Sequence, residues 1–193
     1  MIERSLVSQP SDQLSLVARA FAPVMDDDGL YDVLAYLNRL TTYRFTGVYR
    51  FEPGWVVSVA LFDRTNPHLR IGADVKMKES YCWLTGLGGD SYVIEDATRD
   101  GRLAGHAACE SVRAYVAVVL RDRRGAPWGT LCHFDFEPRT ADPEAREWLE
   151  AARPLIEELF VRDEHARWDP EASSERRCAR AERPGVRTVP PSA

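Results

Sequence analysis

The side chains able to do chemistry in this 193-residue chain gather between Tyr81 and Phe134. Cys82, Cys109 and Cys132 fall there, with His106 and His133, while Cys178 lies far downstream. A thiolate is a nucleophile only where something depresses the thiol pKa. His106 precedes Cys109 by three residues, one turn away on a short helix, which is the right place to do so. No two cysteines form a CxxC pair, and His106 and His133 have no ligand spacing. No metal centre is therefore expected, and no cofactor is specified. The commonest state of a free cysteine is a small buried hydrophobe, and that plainer reading is preferred here. Asp96 follows the apolar run Tyr92-Val93-Ile94. It either accepts hydrogen bonds from a ligand amine or ribose, or anchors the turn that runs on to Arg102. Arg113 either meets an anionic ligand or pairs with Glu110. His133 either faces solvent or bonds a neighbour. Tyr49, Phe62, Tyr81, Trp83, Tyr115 and Phe134 are the aromatic candidates for a pocket wall. Most aromatics at such spacings are core, and the tyrosines are the better pocket candidates because a buried hydroxyl needs a partner.

The elements that must hold these groups are led by Ala114 to Glu137. Ala114–Leu120 carries no charge and reads as a strand buried on both faces. Arg121–Pro127 supplies a charged turn, and Trp128–Phe136 returns as a second strand. Upstream, Ser11 or Asp12 can cap a first helix carrying Leu14, Val17, Ala18 and Phe21 on one face. Asp28 can cap a second, whose stripe is Leu30, Val33, Leu34, Leu37 and Leu40. Phe45–Glu52 and Trp55–Phe62 flank Pro53-Gly54 as a hairpin. Alternation puts Phe45, Tyr49 and Phe51 on one face, with Val48 and Arg50 on the other. Arg70–Met77 is a modest strand candidate, Glu79–Gly86 a short helix, Ser91–Glu95 a short strand and His106–Ser111 one helical turn. A last helix starts at Pro143 with Asp142 as cap. Its stripe is Ala145, Trp148, Leu149, Ala152, Leu155, Ile156, Leu159 and Phe160, and Pro154 inside it should bend the helix or cost one hydrogen bond.

This order predicts an α+β fold: an antiparallel sheet of five or six strands, terminal helices on one face, and a loop and short-helix segment over the other. Such a crossing segment is a common way to enclose a small-molecule pocket. One domain is expected over 1–168, with helices in 10–42, sheet and pocket segment in 43–139 and a last helix in 141–168. From Asp169 the chain holds four Pro, and five Arg against four acids, with almost no large apolar residue. Residues 169–193 read as a disordered tail. The net charge of −5 argues against general nucleic-acid binding. No apolar run is long enough for a membrane span, and the N-terminus lacks a signal-peptide core, which predicts a cytoplasmic protein.

Residues 45–160 resemble a GAF domain, the small-ligand sensory module common in bacterial signalling proteins. ESYCWLTGLGGDSYVIEDATRD (79–100) and AGHAACESVRAYVAVVLRDRRGAPWGTLCHFD (104–135) carry the similarity, together with the closing amphipathic helix. The resemblance implies a sensory module that binds a small molecule, and with no kinase, cyclase or DNA-binding segment legible beside it the expectation is a stand-alone one. Its site would comprise Tyr81, Cys82, Asp96, His106, Cys109, Arg113, Tyr115 and Phe134. It would form a homodimer through its terminal helices and signal by dimer change or by contact with a separate signalling protein. The cysteine-flanking motifs of bilin-binding relatives are not visible. GHAACES is also similar to the catalytic motif of the free methionine sulfoxide reductases of the same fold. That implies an alternative in which Cys109 attacks the sulfoxide sulfur and Cys82 resolves the product. A third cysteine of those enzymes has no counterpart in RIGADVKMKES, and their acidic substrate-holding residues are replaced around Cys132-His133-Phe134. A third alternative is a ligand-free scaffold for protein contact.

Overall fold

A computed structural model of the chain describes residues 27–140 and 142–167. The expected first helix over 11–22 and the expected tail over 169–193 lie outside the described residues. The described elements are α1 (Asp27–Arg39), β1 (Phe45–Glu52), β2 (Trp55–Asp63), β3 (Val75–Lys76), α2 (Tyr81–Gly88), β4 (Ser91–Ile94), β5 (Ala114–Arg121), β6 (Pro127–Asp135) and α3 (Pro143–Arg167). Short 3-10 turns occupy Met77–Glu79, Gly101–Leu103 and Ala107–Glu110. The strands form one sheet in the order β3-β2-β1-β6-β5-β4, and every neighbouring pair is antiparallel. The α+β architecture expected from the sequence is therefore present, with six strands.

The β5–β6 hairpin joins the β1–β2 hairpin through the β1–β6 pairing, so β6 and β1 are the centre of the sheet. All of β5 except Arg121 is buried, as its uncharged sequence requires. One face of the sheet meets α1 and α3. Leu30, Val33, Leu34 and Leu37 of α1 and Ala145, Trp148, Leu149, Ala152 and Ile156 of α3 pack there against Val48, Val116, Val118 and Leu131. Those are the stripes that helical periodicity picks out. Asp142 caps α3, its Oδ1 accepting the Glu144 N–H at 3.0 Å. Pro154 lies on the exposed side of α3, which runs on through it, so its missing N–H costs no contact with the sheet.

The opposite face meets α2 and the turns between β4 and β5, and it carries a second, smaller core. Two elements differ from expectation. The strand expected over Arg70–Met77 shrinks to Val75–Lys76, because Gly72 runs close over Tyr49 and Ser58 instead of pairing. Phe62, a candidate for the pocket wall, lies on the helix face, with its ring 5.5 Å from that of Tyr31. The cause is a bulge: Val48 pairs with Ala60 but Tyr49 with Ser58, so Val59 is the extra residue. One extra residue reverses the facing of everything beyond it.

Candidate functional site

The site begins with the cap of α2. The Ser80 hydroxyl accepts the Cys82 N–H at 3.1 Å, which starts the helix at Tyr81. Tyr81 and Cys82 are 3% and 5% exposed and face the sheet. Strand alternation brings Tyr115 of β5, Cys132 and Phe134 of β6, and Tyr49 of β1 up to meet them. Between the two layers lies a cavity of about 240 Å³. Exposed Glu79, Ala107 and Ser111 line its outer end and mark the mouth.

The inner end is a cluster of sulfur and hydroxyl groups. The Tyr115 hydroxyl lies 3.4 Å from Cys82 Sγ and 3.3 Å from Thr85 Oγ1. Cys132 Sγ donates to the Gly47 carbonyl at 3.6 Å. The Cys132 thiol, followed by the Thr130, Tyr115 and Ser80 hydroxyls, favours the Cys82 thiolate enough to outweigh burial, so the Cys82 pKa falls below the usual thiol value. Burial pushes Cys132 the other way. Burial likewise holds the Tyr49, Tyr81 and Tyr115 hydroxyls neutral.

Behind Tyr81 sits a separate group. The Tyr81 hydroxyl is 3.4 Å from Cys109 Sγ and 3.3 Å from the Val112 carbonyl. Its ring stacks on His106, with centroids 5.0 Å apart. His106 does not activate Cys109. Its Nδ1 accepts the Ala108 N–H at 3.2 Å as the cap of the 3-10 turn, and burial lowers its pKa so that the ring is neutral. Cys109 Sγ instead donates to the Leu103 carbonyl at 3.2 Å.

Asp96 and Arg113 are brought together, but away from the cavity wall. Arg113 donates to Asp96 Oδ1 from Nη2 at 2.8 Å and from Nε at 3.0 Å, so its partner is not Glu110. Asp96 also accepts from the backbone and side chain of Thr98, the anchoring role for the turn. The Arg113 guanidinium and these bonds hold the Asp96 carboxyl below its ordinary pKa. His133 faces the helix side, fully buried, with its ring stacked on Tyr43. Thr46 Oγ1 accepts from Asn38 and lies 2.7 Å from His133 Nδ1, while His133 Nε2 has no partner among the described residues.

Of the eight residues expected at the site, Tyr81, Cys82, Tyr115 and Phe134 line the cavity, and Asp96, His106, Cys109 and Arg113 do not. Cys132, singled out in the sequence as a thiol but not included in the expected site, lines the wall, and Glu79, Ser80, Ala107 and Ala108 were passed over. The i, i+2 spacing of Cys132 and Phe134 was the available signal for the first. Nothing marked the alanines, whose contribution is to leave space. Among the described residues no cluster of His, Cys, Asp or Glu is arranged to hold a metal, and no helix is long and apolar enough to cross a membrane.

No sequence-family model matches the chain, and no curated protein does. Solved structures do. The GAF domain of Acinetobacter phosphoenolpyruvate-protein phosphotransferase aligns with a TM-score of 0.66 at 15% identity, covering 82% of this chain and 96% of that one. The fold is that of a GAF domain. The phycocyanobilin-bound GAF domain of a cyanobacterial phytochrome aligns with a TM-score of 0.63 at 15% identity, covering 83% of this chain and 99% of the other. Free methionine-R-sulfoxide reductase from Neisseria meningitidis, solved with its substrate, aligns with a TM-score of 0.53 at 17% identity, over 82% and 90% of the two chains. At these identities the likeness speaks for the GAF fold alone.

Proposed function

We propose that this GAF-fold chain is a ligand-binding sensory module whose guest occupies the cavity between α2 and the β1-β6-β5 face. The observation that carries this reading is the open space of about 240 Å³ beneath Tyr81 and Cys82. It lies below the range of roughly 300–1,000 Å³ typical of drug-sized ligands, so the guest is a small metabolite rather than a tetrapyrrole. Among the described residues no Lys or Arg lines the wall, and Glu79 is the one carboxylate there. The guest is therefore uncharged or amine-bearing, and phosphate esters are disfavoured. The module would act in the cytoplasm as a homodimer through its terminal helices and pass its signal to a separate protein by contact.

The test is a thermal-shift screen of neutral and amine-bearing metabolites against the wild type and Ala108→Trp, which fills the cavity. A binder at a hundred times its Kd adds about 2.7 kcal/mol of stability. The expected result is a raised Tm for the wild type only. Equal shifts in both proteins, or none across the screen, would favour a ligand-free scaffold.

A second reading rests on the hydroxyl set against Cys82 Sγ and on the fold shared with the Neisseria enzyme. It is a thiol-based reduction of free methionine sulfoxide by Cys109 with Cys82. Turnover with a thiol reductant that is lost in Cys109→Ser would establish it, and absence of turnover would remove it. The geometry weighs against this pairing, because the Tyr81 and Tyr115 rings, 5.6 Å apart, carry the hydroxyls that contact the two sulfurs.

A further inference from the structure

We propose that Cys82 and Cys132 form a hydroperoxide-reactive dithiol that closes to a disulfide on the floor of the cavity. This goes beyond ligand binding and does not rest on it. Both sulfurs belong to the wall of the same cavity, one from α2 above and one from β6 below. Both side chains are almost fully buried, so the cavity mouth beside Glu79, Ala107 and Ser111 is the approach for a small oxidant. The surroundings of Cys82 suit an attacking thiolate. The Tyr115 hydroxyl lies against its sulfur, and the buried Thr130 hydroxyl on the same sheet face also favours its thiolate. Either hydroxyl can donate to an oxygen held beside Cys82.

Cys109 is the competing partner, and it is poorly placed. Its sulfur is turned to the Leu103 carbonyl, outside the cavity wall, with Tyr81 between it and the inner cluster.

The chemistry balances with two co-reactants, a small hydroperoxide and a dithiol reductant. The Cys82 thiolate attacks the terminal peroxide oxygen. The O–O bond breaks, an S–O bond forms, and the leaving alkoxide or hydroxide takes a proton and departs as alcohol or water. Cys132 then attacks the Cys82 sulfenic sulfur. The S–S bond forms, the S–O bond breaks, and hydroxide leaves with the Cys132 proton as water. Two electrons pass from the thiols to the peroxide. The reductant returns two electrons and two protons by thiol–disulfide exchange.

The test uses the full chain carrying Cys109→Ser and Cys178→Ser, treated with equimolar tert-butyl hydroperoxide. The expected result is loss of two titratable thiols, an intact mass lower by about 2 Da, and tryptic fragments 79–99 and 125–139 joined until dithiothreitol is added. With Cys132→Ser added, Cys82 should stop at a sulfenic acid that dimedone traps. Circular dichroism checks that each variant is folded. Separate sulfinic acids on the two cysteines would overturn the proposal. So would thiols that stay reduced in the folded chain while the urea-unfolded chain oxidises, or a Cys82–Cys109 link in the wild type.

Discussion

Two buried residues carry titrations that a solution experiment can read. His133 is held neutral by burial, with a smaller contribution from Arg64, and its pKa drops from 6.5 to about 3. The unfolded chain therefore binds a proton between pH 6.5 and about 3 that the folded chain refuses. Stability is fully present above pH 6.5 and falls as the pH drops through that window, by up to about 1.4 kcal/mol per pH unit from this group. Urea midpoints at pH 7 and pH 4.5 should separate strongly for the wild type and less for His133→Gln. Asp63, whose pKa is lowered by its bonds to Arg44 and Thr65 against the effect of burial, loses its contribution only below about pH 4, outside that comparison. Cys82 gives the second readout. Tyr115→Phe removes the hydroxyl at 3.4 Å, so the pH midpoint of Cys82 alkylation should move upward. An unchanged midpoint would mean that this hydroxyl does not stabilise the thiolate.

The elements are held at the points where the backbone comes closest. A Cβ on Gly129 would lie 2.2 Å from the Tyr49 carbonyl oxygen, across the central β1–β6 pairing. Gly129→Ala must part those strands, and a loss of more than about 2 kcal/mol in urea unfolding is expected. Leu149→Ala opens a hole between α3 and the sheet and should cost about 2–5 kcal/mol while leaving the cavity on the opposite face intact. This is also the scale at which the sequence was most legible. The uncharged run Ala114–Leu120 and the 3.6-residue stripes of α1 and α3 state their burial directly, because period and composition are local properties. The Val59 bulge is not local: it depends on how β2 pairs with β1, so the placing of Phe62 could not be read from alternation in one strand. The pairing of Arg113 with Asp96 and the capping role of His106 were equally out of reach, since each depends on where a loop is carried by its neighbours. The residue types of the site were visible, but half of the expected group, Asp96, His106, Cys109 and Arg113, lies off the wall.

The described residues form two cores on one sheet, a large one under α1 and α3 and a smaller one under α2 that stops short of filling its space. Dense packing is the rule in protein interiors, so a gap lined by three tyrosines, Phe134 and two thiols is a feature that small wall residues such as Ala107 and Ala108 keep open. The sensory reading and the dithiol chemistry both require that this space be reachable from solvent. The most direct measurement is a two-dimensional NMR titration of labelled wild type and Ala108→Trp with small neutral and amine-bearing fragments. The account predicts saturable shifts at Tyr49, Tyr81, Tyr115 and Phe134 in the wild type that vanish in Ala108→Trp. Shifts confined to other surfaces, or the same shifts in both proteins, would contradict it.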